Sequence, residues 1–156
     1  MARHLFAGFS GIVVAVAIPI VVMAVSYRLT DKSTHYTFEP RGQGSFEPRL
    51  ANYVGFAQYI IGLATGSLAL AAGSSILKSS GVLHWRFASP LTLLGASVIY
   101  GVCFIALINY FYEGFLHDAH SYKQFRYNLN NTFGFSCLLS FAIGYMWLAV
   151  IITKSS

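Results

Sequence analysis

The sequence predicts an all-α membrane protein, a bundle of four transmembrane helices, and three observations carry that prediction. Only 10% of the 156 residues are charged, against about 25% in ordinary soluble domains, which leaves too little polar surface for a water-facing coat. Apolar residues gather into four uninterrupted stretches, each close to the roughly 17 to 25 residues that a tilted spanning helix needs. No Asp, Glu, Lys, Arg or His interrupts any of them, whereas a helix on the surface of a soluble protein carries a polar stripe.

The first stretch, 5–27, follows the basic Arg3 and contains Pro19. Its apolar run exceeds the roughly 7 to 15 residues of a signal-peptide core, so it reads as an uncleaved first helix. Pro19 removes one backbone donor and frees a carbonyl one turn earlier, which a spanning helix tolerates when a neighbouring helix or water satisfies it. The second stretch is 53–77, the third 88–112 and the fourth 132–153. Tyr27, Tyr53, Trp85, Phe87, Tyr110 and Tyr112 fall at their margins, where aromatic rings sit at a membrane interface.

Four spans put both termini and the connector 78–87 on one side, with loops 28–52 and 113–131 on the other. The first side carries Arg3, Lys78, Arg86 and Lys154 and no acid, whereas the bases of the long loops are nearly balanced by Asp31, Glu39, Glu47, Glu113 and Asp118. Density of basic residues in short flanking segments sets orientation, which predicts cytoplasmic termini, with the plasma membrane as the expected host. The net charge of +5 forms no basic run, so no nucleic-acid partner is expected.

Loop 28–52 holds the one internal repeat, Phe38-Glu39-Pro40-Arg41 and Phe46-Glu47-Pro48-Arg49, around Gly42-Gln43-Gly44-Ser45. A reversal at Gly44 would set Glu39 opposite Arg49 and Arg41 opposite Glu47. Facing opposite charges contribute about 0.2 to 1 kcal/mol per pair, so a short β-hairpin is one option and a solvated loop the other. Both prolines would confine such a hairpin to an edge. Phe38, Glu39, Arg41, Phe46, Glu47 and Arg49 are therefore the candidate outer-loop interaction residues.

Loop 113–131 brings His117, Asp118 and His120 near one another, a spacing that could hold zinc, but no fourth ligand is evident and polar surface is the simpler reading. Asn130-Asn131-Thr132 is a glycosylation sequon pressed against the fourth helix.

Helix association in lipid depends on close packing at small residues and on interhelical hydrogen bonds. Gly55, Gly62, Gly66, Ala69 and Gly73 recur at spacings of seven, four, three and four in the second helix, giving one narrow stripe. Ser136, Ser140 and Gly144 do the same in the fourth, and Ser97 and Gly101 in the third. These stripes either close the bundle or bind a partner, and intramolecular packing is the expectation.

Catalysis at depth needs ionisable groups there, and the spans have none. His4, His35, His84, His117 and His120 lie outside them, which disfavours a haem held between helices. Cys103 and Cys137 sit in apolar surroundings without a base, as packed thiols rather than nucleophiles or a disulfide. No catalytic residue, metal site or cofactor is expected.

The plan of short basic inner connector, larger first outer loop and uncharged spans rich in small residues resembles the claudin and peripheral-myelin-protein tetraspans, or the MARVEL type. The resemblance covers the whole chain as topology. The Trp, Gly-Leu-Trp and cysteine pair of the claudin first loop are not found between Arg28 and Asn52, so no functional residue is transferred. Phe46-Glu47-Pro48-Arg49-Leu50-Ala51-Asn52 also resembles the entry to the second helix of the small glutathione and eicosanoid membrane enzymes, but Gly55, Phe56 and Gln58 stand where that family has an acid. The expected role is a non-catalytic membrane organiser or auxiliary subunit, partnered by lipid and by other subunits or copies of itself. The alternatives are a supernumerary subunit of a larger membrane enzyme, such as a respiratory complex, or a glutathione-type enzyme.

Overall fold

The structure, a computed structural model, describes residues 2–30, 38, 46–74, 78–79, 82–83, 85–118 and 123–155. Four helices dominate it: α1 (Ala2–Leu29), α2 (Glu47–Gly73), α3 (Ala88–Asp118) and α4 (Gln124–Ser155). Each is long and apolar enough to cross a membrane. At 27 to 32 residues and about 1.5 Å per residue, each also exceeds a hydrocarbon core of about 30 Å. The ends at which residues 30, 46, 118 and 123 emerge form the loop end of the bundle, and those near residues 2, 73, 88 and 155 form the terminal end.

Helix α2 ends at Gly73 rather than 77, and three other boundaries differ by six residues or more from those expected, for local reasons. Helix α2 starts at Glu47 rather than 53, because a carboxylate and a proline both suit a first helical turn. Glu47 complements the positive end of the helix dipole, and Pro48 stands where no intrahelical donor is required. The amides of Arg49 and Leu50 bond the Phe46 carbonyl at 3.0 Å. The second half of the repeat is thus the start of a helix and not a strand, which removes the hairpin pairing, while Glu39 and Arg41 lie outside the described residues. Helix α3 runs on to Asp118 rather than 112, and α4 starts at Gln124 rather than 132. The polar residues of that first α4 segment are largely turned inward, so a hydropathy window misses a helix that its packing makes.

Extended pairing occurs instead in the connector between α2 and α3. There Lys78 stands opposite Leu83 and Ser79 opposite Val82, followed by a short 3-10 turn, Trp85–Phe87, that leads into α3.

Helices α3 and α4 form the central pair, and α1 and α2 each pack against both of them with at most marginal contact to one another. The cross-section is therefore a rhombus with α3 and α4 on its short diagonal. Helix α2 meets this pair through Ala57, Ile60, Ala64 and Ala71. Around Ala64 and Ala71 a core forms from Phe87, Leu94 and Leu148. Helix α1 seats Ala15 and Ile18 against Leu93.

Close backbone approach occurs at three crossings. A Cβ added at Gly11 would lie 2.7 Å from the Ser89 Cα, and one at Gly101 would lie 2.7 Å from Ile61 Cγ1 and 3.1 Å from Cys137 Sγ. One at Gly144 would lie 3.1 Å from the Pro90 carbonyl oxygen and 3.0 Å from the Leu93 Cβ. Only hydrogen fits at the first of these, because the obstruction is main chain.

Polar bonds tie the same crossings. The Ser10 and Ser89 hydroxyls meet at 2.9 Å beside Gly11, and Ser97 Oγ donates to the Cys137 carbonyl at 2.8 Å. Pro19 in α1 leaves the Ala15 carbonyl without its usual helical donor, and the Tyr100 hydroxyl of α3 donates to that oxygen at 2.7 Å.

Candidate lateral interface

Helix α2 carries two small-residue stripes on opposite sides. Ala57, Ala64 and Ala71 recur every seven residues and are buried on the side of α2 that meets the central pair. Gly55, Gly62, Gly66, Ala69 and Gly73 are all exposed, about 180° away around the helix at 3.6 residues per turn. A Cβ placed on any of the four glycines would meet nothing within 4 Å among the described residues. The expectation that this stripe closes the bundle is corrected: alanines close it, and the glycine face looks outward.

The candidate residues on α4 behave differently. Ser136 and Ser140 are 0% exposed and Gly144 is buried against the first turns of α3. All three lie inside the bundle and are unavailable to a partner. The Oγ atoms of Ser136 and Ser140 have no hydrogen-bond partner in this packing, although a serine in a helix can turn its proton onto the carbonyl four residues back.

At the loop end the repeat has a structural use that pairing would not have shown. Phe38, 3% exposed, packs edge to face on Phe46 at 5.0 Å, on Tyr112 at 5.5 Å and on Phe115 at 5.6 Å. The two phenylalanines of the repeat thus meet in one aromatic cluster with Phe111 and the end of α3. Glu47 and Arg49 are exposed in the first turn of α2.

A buried polar centre between α1 and α4 had no counterpart among the expected sites. Asn128 is 0% exposed, and its Oδ1 accepts from Ser26 Oγ at 2.8 Å. Thr30 Oγ1, 3.0 Å from the same oxygen, shares its single proton between that atom and the Ser26 carbonyl. Gln124 Nε2 donates to the Thr30 carbonyl at 3.4 Å, and Thr132 donates to the Asn128 carbonyl at 2.7 Å. The hydropathy boundaries place Asn128 in loop 113–131, outside the fourth span. The signal lay in continuing the helical spacing back from Phe135 through Asn131 and Tyr127, which shows that residues 124–131 can share a helix with the span.

Asn130, the sequon asparagine, is buried within α4, a position that a glycosylating enzyme reaches only if the helix opens. Of the His117, Asp118 and His120 group, His120 and the side chain of Asp118 lie outside the described residues. Among the described residues no three His, Cys, Asp or Glu side chains come together.

Comparison with known protein families, with characterised proteins and with solved structures finds no match to this chain. The functional reading therefore rests on geometry.

Proposed function

We propose that this chain is a non-catalytic, four-pass membrane protein that acts as a membrane organiser or auxiliary subunit. Its lateral contact surface is the outward face of α2. The supporting observation is the location of Gly55, Gly62, Gly66, Ala69 and Gly73 opposite the buried side of that helix, with open space beyond each glycine. Each glycine in a helix costs about 0.5 to 1 kcal/mol relative to alanine. Among the described residues no contact offsets that cost, whereas a second helix approaching the bare backbone would. Glu47 and Arg49, exposed at the loop end of the same helix, add polar contacts there.

The test is the Gly66→Leu variant compared with the unaltered chain after mild solubilisation. The expected outcome is a folded variant of unchanged thermal stability that no longer co-purifies with the partner. Retained assembly contradicts the proposal. Partner identity separates the two forms of the role: further copies of this chain make it an organiser, and cofactor-bearing subunits make it an accessory of a membrane enzyme.

A further inference from the structure

Helices α1 and α4 leave between them a groove of about 510 Å³ that opens sideways out of the bundle. Its walls are graded. On α4 the row at four-residue spacing runs Lys123, Tyr127, Asn131, Phe135, Leu139, from a cation through a phenol and an amide to hydrocarbon. Its last four members line the groove, and Lys123, whose carbonyl accepts from the Tyr127 amide at 3.1 Å, begins the row. On α1, antiparallel to α4, Val21 and Val25 line the apolar part while Ser26 and Thr30 line the polar part. Arg28 is exposed one row from Val21 and Val25 in the last turn of α1. Toward the loop end the lining passes from hydrocarbon to hydroxyl, amide and phenol groups, with Leu29 an apolar member there, and Arg28 and Lys123 are exposed within one turn of it.

From Tyr127 to Leu139 the groove follows α4 for roughly 18 Å at about 1.5 Å per residue. That is close to one leaflet, about half of a hydrocarbon core of about 30 Å. The outer walls remain open, with Val21, Val25, Phe135 and Leu139 all exposed. A second protein helix would need a wide apolar face from end to end, and the hydroxyl, amide and cationic groups at one end do not suit that.

We propose that this groove binds one acyl chain of a phosphate-bearing lipid from the leaflet at the loop end. The ester region lies beside Ser26, Thr30 and Asn131, and the phosphate lies between Arg28 and Lys123. Charge complementarity selects this occupant, because Arg28 and Lys123 are exposed within one turn of the polar lining, whereas Arg126 lies over the Phe111 ring, 5.6 Å from its centroid. The proposal rests on the four-pass reading but not on any protein partner.

The test uses vesicles of phosphatidylcholine containing the chain and a trace of phosphatidylglycerol with a photoactivatable acyl chain. A parallel sample carries the same acyl chain on diacylglycerol, which lacks the phosphate. An alkaline wash first establishes that the chain stays integral; release at this step overturns the four-pass reading, and the groove with it. For retained chain, adducts are expected at Val21, Val25, Phe135 and Leu139 in several-fold excess over Phe56 and Tyr59, which are exposed on α2 at similar depth. Arg28→Glu and Lys123→Glu should each lower phosphatidylglycerol labelling by at least roughly fivefold, the worth of one basic side chain at a headgroup layer, and leave diacylglycerol labelling unchanged. Val25→Trp should remove groove adducts with either probe. Even labelling of groove and α2, equal labelling by the two lipids, or disulfide linkage of Val25→Cys chains across the groove overturns the proposal.

Discussion

The Tyr100 hydroxyl donates at 2.7 Å to the Ala15 carbonyl, the acceptor that Pro19 leaves without a helical partner. One residue of α3 thus repairs a defect that the sequence of α1 builds in, and the repair also fastens α1 to the central pair. Interhelical hydrogen bonds of this kind average about 0.6 kcal/mol in a membrane protein, and stranding a buried acceptor costs about 1 to 3 kcal/mol.

Tyr100→Phe should therefore lower thermal stability by about 1 kcal/mol. The same change made together with Pro19→Ala should cost less, because the restored amide then serves Ala15. A thermal-melt double-mutant cycle in detergent checks this. Equal costs in the two backgrounds would mean that the hydroxyl does not serve this carbonyl.

Glycines of one residue type should divide by location. Gly11→Ala forces a Cβ to 2.7 Å from main-chain Ser89, and overpacking of that kind costs about 1 to 3 kcal/mol. Gly62→Ala adds a methyl in open space and should be neutral or stabilising by up to about 1 kcal/mol through helix propensity. Melting both variants side by side checks the inward and outward assignments, and a reversed order would mean that they are exchanged.

Asn128 holds the loop ends of α1 and α4 together through Ser26 and Thr30. Asn128→Leu should cost about 1 to 2 kcal/mol, since both hydroxyls can turn to carbonyls of their own helix. Asn128→Asp should cost several kcal/mol more, because a carboxylate is buried there with no cation beside it among the described residues. Circular-dichroism melts decide, and an aspartate variant as stable as the leucine one would place water at this site.

Phe38 is enclosed by Phe46, Tyr112 and Phe115. Phe38→Ala should cost about 3 kcal/mol or more in a thermal melt. Phe46→Ala, at a half-buried site, should cost less. Thermal melts of the two variants in detergent check this, and equal costs would mean that Phe38 is no better enclosed than Phe46.

The four helices were legible because lipid-length apolar runs without charge have few other uses. Their ends were less so. Glu47-Pro48 reads equally as a turn or as the first turn of a helix, and Asn128 and Asn130 read as loop until α4 is seen to bury them. The small-residue stripes on α2 were visible as spacing, but spacing gives a face and not its direction. Which stripe turns inward depends on whether α3 presents a matching surface, and Ile61 filling the notch at Gly101 settles that in favour of the alanine side. The Phe38 and Phe46 repeat was visible as a duplication, yet its purpose came from aromatic rings on α3 far away in sequence.

The four lysines, at 32, 78, 123 and 154, make the most direct measurement of the four-pass architecture possible without altering the chain. A membrane-impermeant amine reagent is applied to sealed vesicles of one orientation, and modified lysines are identified by mass spectrometry before and after permeabilisation. Four crossings predict that Lys78 and Lys154 react as one set and Lys32 and Lys123 as the other, the second set only once the vesicles are opened if the first is outside. Lys78 and Lys154 reacting from different sides, or all four reacting in sealed vesicles, would contradict it.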